Sequence, residues 1–286
     1  MTRIISLFLV LALWGCSESS EPTVTVTADG QDSASVESAG IDESPSPTGY
    51  TDYIWCSKGE NYSLEALDVR NAQWLQGIDG LGISELGVVE ITPSNWSSDK
   101  FDWITALFWP DKAARDQGWA AYQASGLEKQ LEAAHPGVEV CGGENWENVF
   151  PTIAYQIRAQ KPSEVFKVGY QFCSFRADME PEDLRTVIRG SWSDFLAQYD
   201  AENPDSTYGT IVSVPDFDSS SGERHEGVPT TWDVLWVNVW GDPLEIELGQ
   251  AAVDSYGQEM MTAFDKVMEC TDDQIYDGRV VLSGNR

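Results

Sequence analysis

The feature that most restricts how this chain can fold is that it repeats itself. Tyr53-Ile54-Trp55-Cys56-Ser57 aligns with Tyr170-Gln171-Phe172-Cys173-Ser174 at an offset of 117, and Glu65 and Leu67 meet Glu182 and Leu184 at the same offset. Further on, Gly87–Pro93 meets Gly209–Pro215. The longest block is ungapped. Phe101–Gly126 against Trp232–Gly257, at offset 131, shares seven identities, among them Trp109/Trp240, Asp111/Asp242 and Gly126/Gly257. Blocks that recur in one order mark a tandem duplication, so the fold must be built from two like units.

Each unit reads β-α-β-β-α-β. Strand one holds Tyr53–Cys56 or Tyr170–Cys173. The helix after it keeps Leu64, Leu67, Trp74, Leu75 and Ile78 on one face, with Ser63 as N-cap. In the second copy Glu180 precedes Pro181, which suits a first helical position. Strand two lies near Leu86–Thr92 and Gly209–Val214, and strand three at Asp102–Trp109 and Asp233–Trp240. A long second helix, Lys112–Ala134 or Pro243–Met268, leads to a last strand around Trp146–Tyr155 or Gln274–Leu282. This order resembles the ferredoxin-like split βαβ unit, whose first and fourth strands are antiparallel neighbours. That topology sets Cys56 beside Cys141 and Cys173 beside Cys270, and so implies one disulfide per repeat. Unpaired buried thiols are the alternative.

Strand three decides how the units meet. A sheet with one wet face alternates apolar and polar residues. Trp103–Trp109 is instead apolar on both faces, as is Val234–Trp240 apart from Asn238. Helices cover one face, and the other needs a second sheet. The whole therefore resembles the dimeric α/β-barrel superfamily, an α+β fold of two ferredoxin-like βαββαβ sheets packed face to face, here within one chain. Repeat 1 is placed at residues 49–161 and repeat 2 at 162–286.

The first 48 residues differ in kind. Arg3 precedes an apolar run, Ile4–Trp14, that is too short to span a bilayer and reads as an export signal. Its end, Leu13-Trp14-Gly15-Cys16, resembles the bacterial lipobox. That resemblance implies a signal peptide over 1–16, lipid on Cys16, and, with Ser17 rather than Asp next, the outer membrane of a Gram-negative cell envelope. An ordinary secretory signal with an incidental Cys is the plain alternative. Residues 17–48 contain neither Lys nor Arg and end in Ser44-Pro45-Ser46-Pro47, the composition of a disordered acidic tether. Assigning Cys16 to lipid leaves four of the five Cys, an even set suited to an oxidising compartment.

The chain carries 47 acids against 17 Lys and Arg, a net charge of −30. Nucleic acid is thereby excluded as a partner, and contact with membrane is expected only through the N-terminal lipid. Chemistry is harder to find. Of two His, His135 sits where a helix should end and His225 in a loop, Asp216–Thr231, enlarged only in the second repeat. That loop, with Asp216, Asp218, Glu223 and His225, is one candidate site; a solvated hairpin is the plain reading. Its spacing departs from an EF-hand, as does the oxygen cluster Asp200, Asn203 and Asp205. No spacing of His and Cys suggests zinc, and no phosphate-binding, dinucleotide or nucleophile-elbow motif occurs. The expectation is therefore no cofactor and no dedicated metal, with weak calcium binding at most.

Aromatic residues supply the other candidate. Trp103 and Trp109, then Trp232, Trp236 and Trp240 with Asn238, fall on one face of strand three in the two copies. If that face points into the barrel, the lumen is an aromatic pocket with a polar handle; if not, the rings fill core. The leading functional expectation is a non-enzymatic envelope lipoprotein that binds a small ligand or an envelope protein. The alternative is a barrel enzyme of oxygenase or isomerase type acting on a small aromatic or apolar substrate, and a purely structural surface protein is a third reading. The sequence does not set the oligomeric state.

Overall fold

The computed structural model describes residues 46–143, 148–159, 164–217 and 232–284. Repeat 1 runs β1 (Gly49–Lys58), α1 (Leu64–Gly80), β2 (Gly87–Pro93), β3 (Trp103–Trp109), α2 (Lys112–Ser125), α3 (Leu127–Ala134), β4 (Glu139–Cys141) and β5 (Val149–Arg158). Repeat 2 follows with β6 (Val165–Phe175), α4 (Pro181–Val187), a π-turn (Ile188–Trp192), α5 (Ser193–Glu202), β7 (Gly209–Pro215), β8 (Val234–Trp240), α6 (Leu244–Tyr256), α7 (Gln258–Val267), β9 (Met268–Cys270) and β10 (Gln274–Leu282). Ser63 caps α1 by accepting from the Ala66 amide, and Asp111 caps α2 through the Ala114 amide. The single second helix expected in each repeat is two. Gly126 takes a left-handed conformation (φ 64°) that breaks the first, and Gly257 stands at the break in the second.

The strands form one continuous antiparallel sheet in the order β10-β2-β3-β1-β5-β7-β8-β6, closed by a β10–β6 pairing. Within a repeat the order is that of the ferredoxin-like unit. The two sheets face each other across a shared interior and also join edge to edge. One seam pairs β5 with β7 from Thr152↔Pro215 onward; the other pairs β10 with β2 from Tyr276↔Pro93 onward. Closure leaves no barrel strand with a free edge. The short β4 and β9 pair with β1 and β6 so that Cys56 lies opposite Cys141 and Cys173 opposite Cys270. Both disulfides form as the topology implied.

Alternation along the strands separates two environments. One set of side chains fills the barrel: Tyr53, Trp55, Ile104, Ala106, Phe150, Val168, Tyr170, Val237 and Tyr276. The duplicated tyrosines meet there, Tyr53 edge-on to Tyr170 at 5.7 Å, and burial pushes the Tyr53 phenol up to about 12. The other set lies under the helices, in a separate core for each repeat.

This corrects the expected aromatic lumen. Trp103 and Trp109 pack beneath the helices of repeat 1, and Trp236 and Trp240 beneath those of repeat 2. Asn238 shares the outer face with them. Trp232 precedes β8 and is the one member of that set in the barrel core, packed on Phe172. The physical reason is that both faces of a barrel strand are dry, so apolarity cannot say which face turns inward.

Candidate functional site

The same alignment that reveals the duplication shows where the copies differ. At offset 131, Thr105 and Leu107 of β3 correspond to Trp236 and Asn238 of β8, on the face that meets the helices. In repeat 2 the Trp236 ring fills the space between sheet and helices, edge-on to Trp192 at 5.3 Å and to Phe264 at 5.1 Å. Tyr208 and Trp236 both donate to Oδ1 of Asn238, at 2.7 and 3.0 Å. Repeat 1 has only a threonine at that point. What remains is a cavity of about 100 Å³ between α1, α2 and the outer face of the sheet.

Its walls are apolar: Ile54, Val88, Leu107 and Trp109 from the sheet, Trp74 and Ile78 from α1, and Trp119 from α2. One end is polar. Arg70 of α1, 6% exposed, binds Glu139 of β4 through Nη1 and Glu128 of α3 through Nη2 at 3.0 Å. Tyr122 donates to the second oxygen of Glu128. Asn71 and Arg279 hold Glu90 of β2 at 2.9 and 2.7 Å. Burial pushes the Glu139 carboxyl above the usual range against the opposing pull of Arg70, and Tyr122 also rises through burial and then through Glu128. The Arg70 Nε is buried and has no hydrogen-bond partner among the described residues. The disulfide of Cys56 and Cys141 forms part of the wall.

Beside the cavity, Asp52 of β1 is wholly buried. Its carboxylate takes two hydrogen bonds from Arg115 Nε and Nη2 and one each from the indoles of Trp109 and Trp119, at 3.0 and 2.7 Å. This network fixes α2 and the two rings that line the site. None of it was legible as a site in a chain with so many acids. The usable signal was the asymmetry between repeats at Thr105 and Trp236.

Of the candidate loop, Asp216 is described, and it forms ion pairs with Lys112 at 3.4 Å and Arg115 at 3.5 Å. An oxygen facing two cations is a poor cation ligand, which corrects its place in a calcium loop. Asp218, Glu223 and His225 lie outside the described residues. Asp200 pairs with Arg158 at 2.7 Å, and the Asn203 amide donates to the Tyr199 carbonyl as α5 ends. His135 caps the C-terminal end of α3 and contacts Gln73 at 2.8 Å, away from the cavity. Among the described residues, the one cluster with metal-ligand spacing is Cys56, Glu139 and Cys141, whose sulfurs are bonded to each other.

Fold and cavity together define a tandem dimeric α/β-barrel protein with a cleft on the helix side of its first repeat. No family model matches the chain, and no curated protein matches it. Solved structures share its chain path. A chlorite dismutase mutant from Candidatus Nitrospira defluvii is 8% identical at a TM-score of 0.48, covering 83% of this chain and 94% of that one. A heme-binding protein from Thermus thermophilus is 10% identical at 0.45, covering 82% and 91%. One of these structures is a heme-binding protein, which stands against the expectation of no cofactor.

The described cleft does not suit heme. Heme iron takes an axial His, Cys, Met or Tyr. The lining has no His or Met, both Cys are in a disulfide, and Tyr122 is committed to Glu128. Arg70, which would have to meet a propionate, is already bound to two carboxylates.

Proposed function

We propose that the chain binds a small, largely apolar molecule in the helix-side cleft of its first repeat, held at one end by the Arg70 cluster. The observation that carries this is the open space left by Thr105 where its twin carries Trp236. The free Nε of Arg70 calls for an acceptor such as a carbonyl or hydroxyl oxygen. Glu90, Glu128 and Glu139 around it argue against a strongly anionic ligand. We also propose that residues 1–16 act as a lipoprotein signal and that lipid on Cys16 holds the protein in the cell envelope, with residues 17–48 as tether. Repeats bounded at 49–161 and 162–286 belong to the same proposal.

A second reading, the barrel enzyme, is favoured by Glu139. A carboxyl whose pKa is raised by burial, beside an apolar cleft, is placed for acid–base work.

The test is a thermal-shift screen of small neutral aromatic and aliphatic compounds against the chain lacking residues 1–16. A ligand at a hundred times its Kd raises stability by about 2.7 kcal/mol. Thr105→Trp, which copies the filled repeat, should keep the fold and lose the shift. A shift unchanged in that variant places binding elsewhere and overturns the proposal.

A further inference from the structure

The two disulfides occupy equivalent places in the two repeats but have different neighbours. Glu139 and Cys141 lie two apart on β4 and share a face. A carboxylate oxygen of Glu139 and the sulfurs of Cys56 and Cys141 all lie within 4.8 Å of one another. Thr105 Oγ1 is 3.7 Å from Cys56 Sγ. At the second bridge the strand register puts Met268 where Glu139 stands, and Trp236 replaces Thr105. A carboxyl and a hydroxyl beside one disulfide are thus a thioether and an indole beside the other.

We propose that Cys56–Cys141 is a redox centre, opened by a small thiol that enters the cleft, with Glu139 as its proton donor, and that Cys173–Cys270 is a permanent clamp. This concerns the cleft described above but does not depend on the ligand proposed for it. The thiol loses its proton to solvent, and its thiolate attacks Cys141 Sγ, the less buried sulfur of the pair. The S–S bond breaks, and its electron pair leaves on Cys56 Sγ, which takes the proton of Glu139. A second thiolate attacks the thiol-derived sulfur of the mixed disulfide and releases Cys141, which is protonated from solvent. Two small thiols become one small disulfide, and their two electrons reside on the protein dithiol. The groups facing Glu139 are Arg70 from α1, Glu128 from α3, Glu90 from β2 and, opposite it across the strand pair, Lys58, whose Nζ is engaged by Asp102.

Accessibility alone predicts the opposite order, because Cys270 is exposed whereas Cys141 is only partly so. The experiment treats the chain lacking residues 1–16 with graded 2-mercaptoethanol, a small neutral thiol, from pH 6 to 8.5. Free thiols are alkylated at intervals and located by peptide mass mapping. Cys56 and Cys141 should be labelled before Cys173 and Cys270. The rate of their opening, per thiolate, should be roughly tenfold or more lower in Glu139→Gln than in the wild type at pH 6, and the pH profile of opening should differ between the two. Glu139→Met, which carries the residue of the second repeat, serves if the Gln variant folds poorly. Opening of Cys173–Cys270 first or simultaneously, or a pH profile unchanged by both variants, overturns the proposal.

Discussion

Asp52 sets the terms for the first repeat at the scale of single residues. A fully buried carboxylate is tolerable only with its oxygens satisfied, and Arg115, Trp109 and Trp119 satisfy them. Asp52→Ala leaves the Arg115 guanidinium, only 14% exposed, with Asp216 and Asp116 alone and removes the acceptor of two indoles, and should cost about 3–5 kcal/mol in urea unfolding. In the second repeat the offset of 117 puts Gly169 at the Asp52 position, and the carboxylate of Asp273 covers it: a Cβ built on Gly169 would lie 2.4 Å from Asp273 Oδ1. Burial of this carboxyl, only partly offset by a hydrogen bond from Asn238, raises it to about 6. An acid raised in the folded state favours folding while protonated, so that stabilisation is complete below about pH 4 and lost as pH climbs to about 6. Although its carboxyl lies against Gly169, Asp273 as a residue is exposed, so the effect is much reduced by screening. The stability difference between wild type and Asp273→Asn, followed by denaturant midpoint from pH 4 to 7, should change in that window and be flat above it.

Among elements, α2 and α6 are twins with unequal contacts. Gly118 and Gly249 align, yet a Cβ on Gly118 would come within 2.4 Å of the Trp109 ring, whereas one on Gly249 meets nothing within 4 Å. Helix α2 can therefore lie close over the cleft floor only without a side chain there. Gly118→Ala should destabilise by about 1–3 kcal/mol through overpacking. Gly249→Ala should stabilise by roughly 0.5–1 kcal/mol, since alanine is the better helix former. Thermal unfolding of the two variants side by side checks both signs. The pair also shows what identity in an alignment conceals. The same glycine is a packing requirement in one copy and a conformational cost in the other.

For the molecule as a whole, the decisive contacts are the seams β5–β7 and β2–β10. Each half contributes two edge strands that only the other half covers. Residues 49–161 expressed alone should therefore not be a stable monomer. Sedimentation should show a dimer, with the second copy supplying the missing edges, or aggregate. A folded monomeric half would show that the seams are dispensable.

Reading the chain alone determined the duplication, the order of elements, the two cysteine pairs and the need for a second sheet. These follow from features local in sequence: repeated blocks, helical and strand periodicity, and dry runs such as Val234–Trp240. Tertiary structure decided which face of β3 and β8 turns inward, that the sheets join at their edges, and that Arg70, Glu128 and Glu139 gather from three separate elements at one end of a cleft. A period of two fixes that residues alternate but not which set is enclosed, and a carboxylate becomes distinctive only when packing removes its water. Thr105 was visible opposite Trp236 in the alignment, but the space it leaves has meaning only once the helices lie across it.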